Sequence, residues 1–208
     1  MERRFISKSS APVKVETRED GTRTIVGYGA VFHRSGDAGT EYELWDDVVE
    51  HVGRSAFDRA LIEDDPRGLF NHDSGSLLGR FSAGTLRLSV DEIGLRYEID
   101  VPDTQVGRDT VVSIERGDLT GSSFAFIPRA VKWESAGGRD VRTLEDVELF
   151  DVGPVTYPAY EATTTGTRSA DVRNEYDDWR NSTANEAEKV AVNARAAEIS
   201  RPISGLSA

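Results

Sequence analysis

Short runs in which apolar and polar residues alternate are the feature that most restricts how this sequence can fold. β-Branched and aromatic residues fill 24–32, and two alternating runs at 84–90 and 94–100 are joined by turn residues. Because side chains on a strand point alternately to the two faces of a sheet, these runs predict strands, and the last two predict a hairpin. Gly137 and Gly138 mark a further turn. Runs of similar composition lie at 68–71, 119–127, 130–133 and 147–155.

Two helices are predicted between these strands. The first covers 55–62, with Ser55 as its cap, and the second covers 109–116, with Gly117 as its C-terminal stop. Many short strands with few helices are typical of a mainly β fold. We therefore expect a closed or nearly closed β-barrel with flanking helices.

The chain changes character after residue 161. Small polar residues at 162–170 predict a linker, and Thr183 followed by Glu186 has the pattern of a capping box. The segment 184–199 is rich in alanine and charged residues, so it predicts a helix with little apolar surface to bury. We expect one domain over 1–161 and a flexible tail over 162–208 that carries one marginal helix.

Composition excludes several classes of protein. The chain has 37 acidic and 25 basic residues, a net charge of −12, so it lacks the basic surface that nucleic-acid binding requires. It has no cysteine, which excludes disulfides, cysteine nucleophiles and thiolate metal sites. No apolar run is long enough for a signal peptide or a membrane span. We expect a soluble protein without membrane or nucleic-acid partners.

The candidates for catalysis and for metal binding are few. His33, His51 and His72 are widely separated and show no spacing typical of metal ligands, so we predict no metal site. No loop has the pattern that binds phosphates, and we predict no cofactor. Pairs of acidic residues leave a glycosidase open, although no spacing singles out one pair.

The segment 121–126 (GSSFAF) places two hydroxyls after a glycine at the start of a strand. A serine nucleophile needs a base and a third group that orients the base. His72 can be the base. Asp146 or Glu148 can be the third group, since alternation puts both on one face of a strand, with Asp151 on the other face. Residue chemistry alone leaves this triad as one permitted arrangement among several.

A collinear set of short segments extends over residues 24–160. In chain order they are GYGAVF (27–32), VEHVGRSAF (49–57), NHD (71–73), LGR (78–80), GTLRL (84–88), DEIGL (91–95), PDT (102–104), GRD (107–109), RGD (116–118), GSSFAF (121–126), DVELFDV (146–152) and VTYPA (155–159). As an ordered set they resemble the prohead maturation serine protease family of tailed bacteriophages. That family is similar in fold to the herpesvirus assemblin proteases.

The resemblance implies roles for individual residues. The family's histidine falls on His72, and its serine falls on Ser123 rather than Ser122. Assemblins use a second histidine at the start of a late strand. The matching strand here carries acids in that place, which favours Asp146 as the third catalytic residue, with Glu148 as the alternative.

The resemblance also implies a function. We expect a serine endopeptidase that processes the major capsid protein, the scaffold or both, inside the assembling phage prohead in the host cytoplasm. The enzyme itself is a further candidate substrate. Assemblins are activated by dimerisation, so self-association is expected. The alternative is a non-catalytic β-barrel that serves the prohead as a scaffold or assembly protein.

Overall fold

The computed structural model describes residues 1–6, 12–157 and 167–199. The chain divides into two units, Met1–Thr163 and Thr164–Ala208. The described part of the first unit is mainly β, and the second consists of a helix, as the sequence predicts. Residues 162–166 of the predicted linker lie outside the described residues, and the linker prediction is wrong for 167–170, which belong to the helix.

A seven-stranded sheet carries most of the first unit. Its strands are β1 (Glu2–Ile6), β4 (Tyr42–Trp45), β5 (Val48–Val52), β6 (Arg67–Leu69), β7 (Leu77–Arg80), β10 (Gly121–Ala136) and β11 (Arg139–Val155). Strands β10 and β11 form a long antiparallel hairpin. It turns at Gly137 and Gly138, whose φ angles of 62° and 83° confirm the predicted turn. Strand β1 pairs with the free edge of β10, while β5 and β6 both run parallel to β11.

A four-stranded antiparallel sheet covers the other side of the core. It contains β2 (Lys14–Thr17), β3 (Arg23–Val31), β8 (Leu86–Val90) and β9 (Gly94–Asp100), in the order β2-β3-β9-β8. Strands β8 and β9 are the predicted hairpin. The Asp91 carboxylate shapes its turn by accepting hydrogen bonds from the N–H groups of Ile93 and Gly94. The described strands thus pair as two sheets, and closure into a barrel stays a prediction.

One apolar core lies between the sheets, and aromatic side chains fill its centre. Alternation along β10 turns Phe124 and Phe126 into this core, where their rings stack with centroids 4.8 Å apart. Phe57 packs edge-to-face on Phe124 at 5.7 Å. Burying one such ring contributes up to about 4–6 kcal/mol. This anchoring fixes the strand, so Ser123 and Ala125 lie on the face of β10 that points away from the core.

The helices of the first unit differ from the predictions at their ends. The helix predicted at 55–62 is the single turn α1 (Ala60–Glu63), preceded by non-helical turns. Helix α2 (Gln105–Arg116) begins four residues before the predicted start because the Thr104 hydroxyl caps it. That oxygen accepts a hydrogen bond from the N–H of Gly107 at 3.2 Å. The helix ends at Gly117, whose φ of 82° confirms the predicted stop.

The second unit contains the helix α3 (Thr167–Ile199), which includes the predicted segment 184–199. Its described side chains are mostly exposed, as the scarcity of apolar residues predicts. The predicted capping box is wrong. Thr183 lies inside the helix, and its hydroxyl donates to the carbonyl of Trp179 at 2.9 Å.

Candidate active site

Strand β10 separates the two neighbouring serines by pointing them to opposite faces. Ser122 points to the core, and its hydroxyl lies 2.8 Å from the hydroxyl of Tyr97. Complete burial raises the pKa of Tyr97. Ser123 lies on the other face, in register with Phe5 of β1 and Gly153 of β11. Of the two hydroxyls, only that of Ser123 is near a histidine.

His72 reaches this face from the loop between β6 and β7. Asn71 and His72 have φ angles of 55° and 57°, in the left-handed region that costs a non-glycine residue on the order of 1–3 kcal/mol. The side chain of Asn71 holds the loop against the end of β11. Its Nδ2 donates to Thr156 Oγ1 at 3.0 Å, and its Oδ1 accepts from the N–H of Thr156 at 2.8 Å. These bonds help to hold the strained backbone that positions His72.

A continuous hydrogen-bonded chain connects a hydroxyl, an imidazole and a carboxylate. The Nε2 atom of His72 lies 2.5 Å from Ser123 Oγ, and its Nδ1 lies 2.5 Å from Asp151 Oδ1. The side chains of His72 and Asp151 are only 4% and 6% exposed. Because a carboxylate only accepts hydrogen bonds, Nδ1 carries the proton and Nε2 presents its lone pair to the serine. The arrangement can transfer a proton from Ser123 to His72.

The structure places the two predicted third members elsewhere. Asp146 forms long ion pairs with Arg59 at 3.8 Å and with Arg129 at 3.7 Å. The pKa of Arg129 is raised, chiefly by a hydrogen bond from its guanidinium to Asp64 and further by the charges of Asp146 and Glu148. Asp146 and Glu148 therefore contribute negative charge near Arg129. Both ring nitrogens of His72 contact other residues, Ser123 and Asp151.

A β-bulge in β11 explains why Asp151, and not Asp146, contacts His72. Asp151 pairs with Ala125, but the next pair joins Leu149 to Phe126, so Phe150 is an extra residue. Leu149 and Val152 accordingly both face the core, although they are three residues apart and unbroken alternation would put them on opposite faces. The prediction that Asp151 faces away from the site assumed unbroken alternation. The bulge turns Asp151 to the face that carries Ser123.

His72 borders a cleft of about 280 Å³ at the end of β11. Its lining consists of Arg3, Asn71, His72, Val155, Thr156 and Tyr157. Ser123 itself is 0% exposed, and its Oγ also lies 2.9 Å from the carbonyl oxygen of Arg4. A hydroxyl has one hydrogen, so the Arg4 carbonyl and His72 Nε2 compete for it. The cleft lies on the histidine side of the site.

A buried ion network holds β1 in this position. The carboxylate of Glu50 binds Arg4 Nε at 2.5 Å and Arg142 Nη1 at 2.5 Å, and the side chains of Glu50 and Arg142 are fully buried. Burial alone would lower the pKa of Arg4, but the contact with Glu50 outweighs it, and the pKa is raised. Glu2 adds a second carboxylate 2.6 Å from Arg4. The network thereby fixes the Arg4 backbone beside Ser123.

A second cluster of chemically capable side chains escaped the sequence analysis. The imidazole rings of His33 and His51 are stacked, with centroids 3.6 Å apart and an interplanar angle of 3°. Glu41 adjoins both rings, and one possible ligand atom from each residue lies within 4.8 Å of the others. Their separation in the chain hid this grouping. Strand pairing produces it.

No helix within the described ranges has both the length and the apolar character needed to cross a membrane. No curated protein and no solved structure matches the chain. The family model of the caudovirus prohead serine proteases matches residues 10–177, well over half of the sequence. The matched range contains Ser123, His72 and Asp151. The family resemblance read from the sequence is thus confirmed: the chain belongs to the caudovirus prohead serine protease family.

Proposed function

We propose that this protein is a serine endopeptidase in which Ser123 is the nucleophile, His72 the general base and Asp151 the residue that orients His72. The observation that carries the proposal is the hydrogen-bonded chain from Ser123 Oγ through both ring nitrogens of His72 to Asp151. Family membership supports a serine peptidase independently of this geometry. Asp151 replaces the Asp146 and Glu148 of the sequence-based hypothesis.

In the proposed mechanism Ser123, His72 and Asp151 have separate roles. His72 Nε2 takes the Ser123 proton as Oγ attacks the substrate carbonyl, and the imidazolium then donates that proton to the leaving amine. An acyl-enzyme remains on Ser123. His72 next takes a proton from water, which attacks the ester and regenerates the hydroxyl. Asp151 stays ionised throughout and stabilises the positive imidazolium.

The resting state of the site is closed around the nucleophile. The Arg4 carbonyl competes with His72 for the hydrogen of the Ser123 hydroxyl, and β1 lies along the edge of β10 at this point. A substrate therefore enters from the cleft beside His72. The Ser123 hydroxyl must donate to His72, and not to the Arg4 carbonyl, when it attacks. We expect this competition to lower the activity of the isolated chain.

Membership of this family supports a role in capsid maturation. We propose that the substrates are the major capsid protein, the scaffold or both, and the enzyme itself, with cleavage inside the assembling prohead. We further propose that the enzyme self-associates, as the fold resemblance to assemblins implies. No basic surface that would direct it to nucleic acid is expected from its charge of −12.

Co-expression with the capsid protein of the same phage tests the proposal. The wild type should shorten the capsid protein, and Ser123→Ala should leave it at full length. Ser122→Ala is the matched control, because it removes the neighbouring hydroxyl, which contacts Tyr97 and not His72. A fluorophosphonate reagent should add its mass to Ser123 of the wild type.

The outcomes separate the proposed protease from its alternative. Equal shortening by wild type and Ser123→Ala would remove Ser123 from its role. A wild type that neither shortens the capsid protein nor reacts with the reagent would favour a non-catalytic scaffold or assembly protein. A glycosidase would be insensitive to the serine-directed reagent.

A further inference from the structure

His33, Glu41 and His51 come from three segments that strand pairing joins at one place. His33 follows β3, Glu41 precedes β4, and His51 lies in β5. The N–H of His33 donates to the carbonyl of Val52 at 3.4 Å, which ties the end of β3 to β5. Strands β4 and β5 pair with Tyr42 opposite Glu50, which brings Glu41 alongside His51.

The donor atoms have the spacing of a tetrahedral metal site. Zinc–ligand bonds of about 2.0–2.1 Å place neighbouring ligand atoms roughly 3.3 Å apart in a tetrahedron. His51 Nε2 lies 3.3 Å from Glu41 Oε1, and His33 Nδ1 lies 3.9 Å from the same oxygen. All three donor atoms lie within 4.8 Å of one another. Because an imidazole nitrogen directs its lone pair in the plane of its ring, the two stacked rings must turn relative to each other before both nitrogens point to one ion.

The two imidazoles lie beside one carboxylate and are partly shielded from solvent. Their side chains are 28% and 16% exposed for His33 and His51. Among the described residues no hydrogen-bond partner reaches His33 Nδ1, which is itself buried. A metal ligand must offer an unprotonated nitrogen, and this nitrogen faces a carboxylate. An ion between them would satisfy both groups.

Arg139 supports the carboxylate from its outer side. Its guanidinium donates to Glu41 Oε2 at 2.9 Å and to Oε1 at 3.2 Å. A metal bound at Oε1 leaves the shorter bond to Oε2 intact. Ligating carboxylates are commonly held in this way by a second hydrogen-bonding partner.

We propose that His33 Nδ1, His51 Nε2 and Glu41 Oε1 bind one divalent transition-metal ion, with Zn²⁺ as the preferred occupant and water as the fourth ligand. Two imidazoles and one carboxylate suit Zn²⁺ better than Mg²⁺ or Ca²⁺, which prefer oxygen ligands. His51 pairs with Thr143 of β11, eight residues from Asp151, so about 26 Å of strand separates the site from the triad. The ion links the end of β3 to β4 and β5, which makes it a structural clamp.

Calorimetric titration of the untagged full-length chain with ZnCl₂ tests the proposal. The wild type should bind one ion, and its Tm should rise by roughly 5–10 °C when free Zn²⁺ is about a hundredfold above Kd. His33→Gln and His51→Gln should each weaken binding by more than about 100-fold, since loss of a ligand exceeds the loss of a supporting contact. Co²⁺ should give the intense visible absorption of a tetrahedral complex in the wild type, and neither His33→Gln nor His51→Gln should show it.

His72→Gln is the matched control, since it removes the third histidine of the chain without touching the cluster. It should keep the ion at the cluster with unchanged affinity. Circular dichroism checks that each variant is folded, and Glu41→Gln replaces either histidine variant that is not. Absence of a bound ion in the folded wild type overturns the proposal. So does binding that survives His33→Gln and His51→Gln but is lost in His72→Gln. Neither result bears on whether Ser123 cleaves peptides.

Discussion

Exchanging Asp151 for asparagine keeps the shape of the side chain but removes the charge that faces His72. The carboxylate lies 2.5 Å from Nδ1 and is 6% exposed, so little solvent screens it. Two unit charges about 4 Å apart attract by about 4 kcal/mol at an effective dielectric constant of 20. Losing that attraction to the imidazolium slows acylation by roughly 10³-fold. Loss of the correct tautomer adds to this, and the same exchange in a Ser-His-Asp triad lowers kcat about 10⁴-fold. We therefore expect Asp151→Asn to cleave its substrate between roughly 10³-fold and about 10⁴-fold more slowly than the wild type.

Asp146→Asn is the control, because the family resemblance favours Asp146 as the third member. Its side chain is 26% exposed and its ion pairs are 3.7 and 3.8 Å long. Exposed pairs contribute about 0–1 kcal/mol, so its cleavage rate should stay within about fivefold of the wild type. The assay compares initial rates of capsid-protein cleavage with the rate of fluorophosphonate labelling. Full activity in Asp151→Asn together with a large loss in Asp146→Asn would refute the reasoning.

Three further predictions concern the scaffold around the site. In Gly153→Ala the added Cβ would clash with the backbone carbonyl oxygen of Leu69 and push β11 away from β6. Urea unfolding should show a free energy of unfolding that is lower by about 1–3 kcal/mol. The rate of substrate cleavage should fall about a hundredfold. Arg142→Met removes one of the positive charges that contact the buried carboxylate of Glu50, and it should lower the free energy of unfolding by about 3–5 kcal/mol. The exposed control Arg116→Met should lower it by under about 1 kcal/mol. Burial raises the pKa of Glu98, but hydrogen bonds from Arg96 and Arg87 outweigh it, so the net pKa is lowered. As the pH falls, Glu98 is therefore protonated in the unfolded chain before it is protonated in the folded protein. The ionised carboxylate stabilises the folded protein fully above the ordinary pKa of 4.5, and this stabilisation is lost at lower pH. Denaturant unfolding measures the free energy of unfolding at pH 7 and at pH 4. The decrease between the two pH values should be smaller in Glu98→Gln than in the wild type, and the exposed control Glu43→Gln should show the same decrease as the wild type.

Features set by neighbours in the chain could be predicted from the sequence. The hairpin of β8 and β9 follows from alternation and a four-residue turn, and the end of α2 follows from a glycine at 117. The start of α2 was missed because Thr104 caps it before the apolar pattern begins. Alternation also separates Ser122 from Ser123, although the family resemblance was needed to choose between them.

Features set by pairing between distant segments could not be predicted. The extra residue in β11 is defined only by its partner strand, since Phe150 fits an unbroken strand as well as a bulge. Its consequence is a change of face for Asp151. Likewise, His33 and His51 are 18 residues apart, and only the approach of β3 to β5 stacks their rings. Sequence spacing therefore could not predict either cluster, because no local sequence pattern indicates the register in which distant strands pair.

The three proposed catalytic residues differ in how firmly the fold holds them. Ser123 and Asp151 lie on the paired strands β10 and β11, whose ladder fixes their separation. His72 comes instead from a loop with two left-handed residues, held at Asn71 by the hydrogen bonds to Thr156. Since the strain of that loop must be opposed by such contacts, the position of the base is the adjustable part of the site. Asn71, His72 and Thr156 all line the cleft, so the contacts that oppose this strain lie on the same surface as the base.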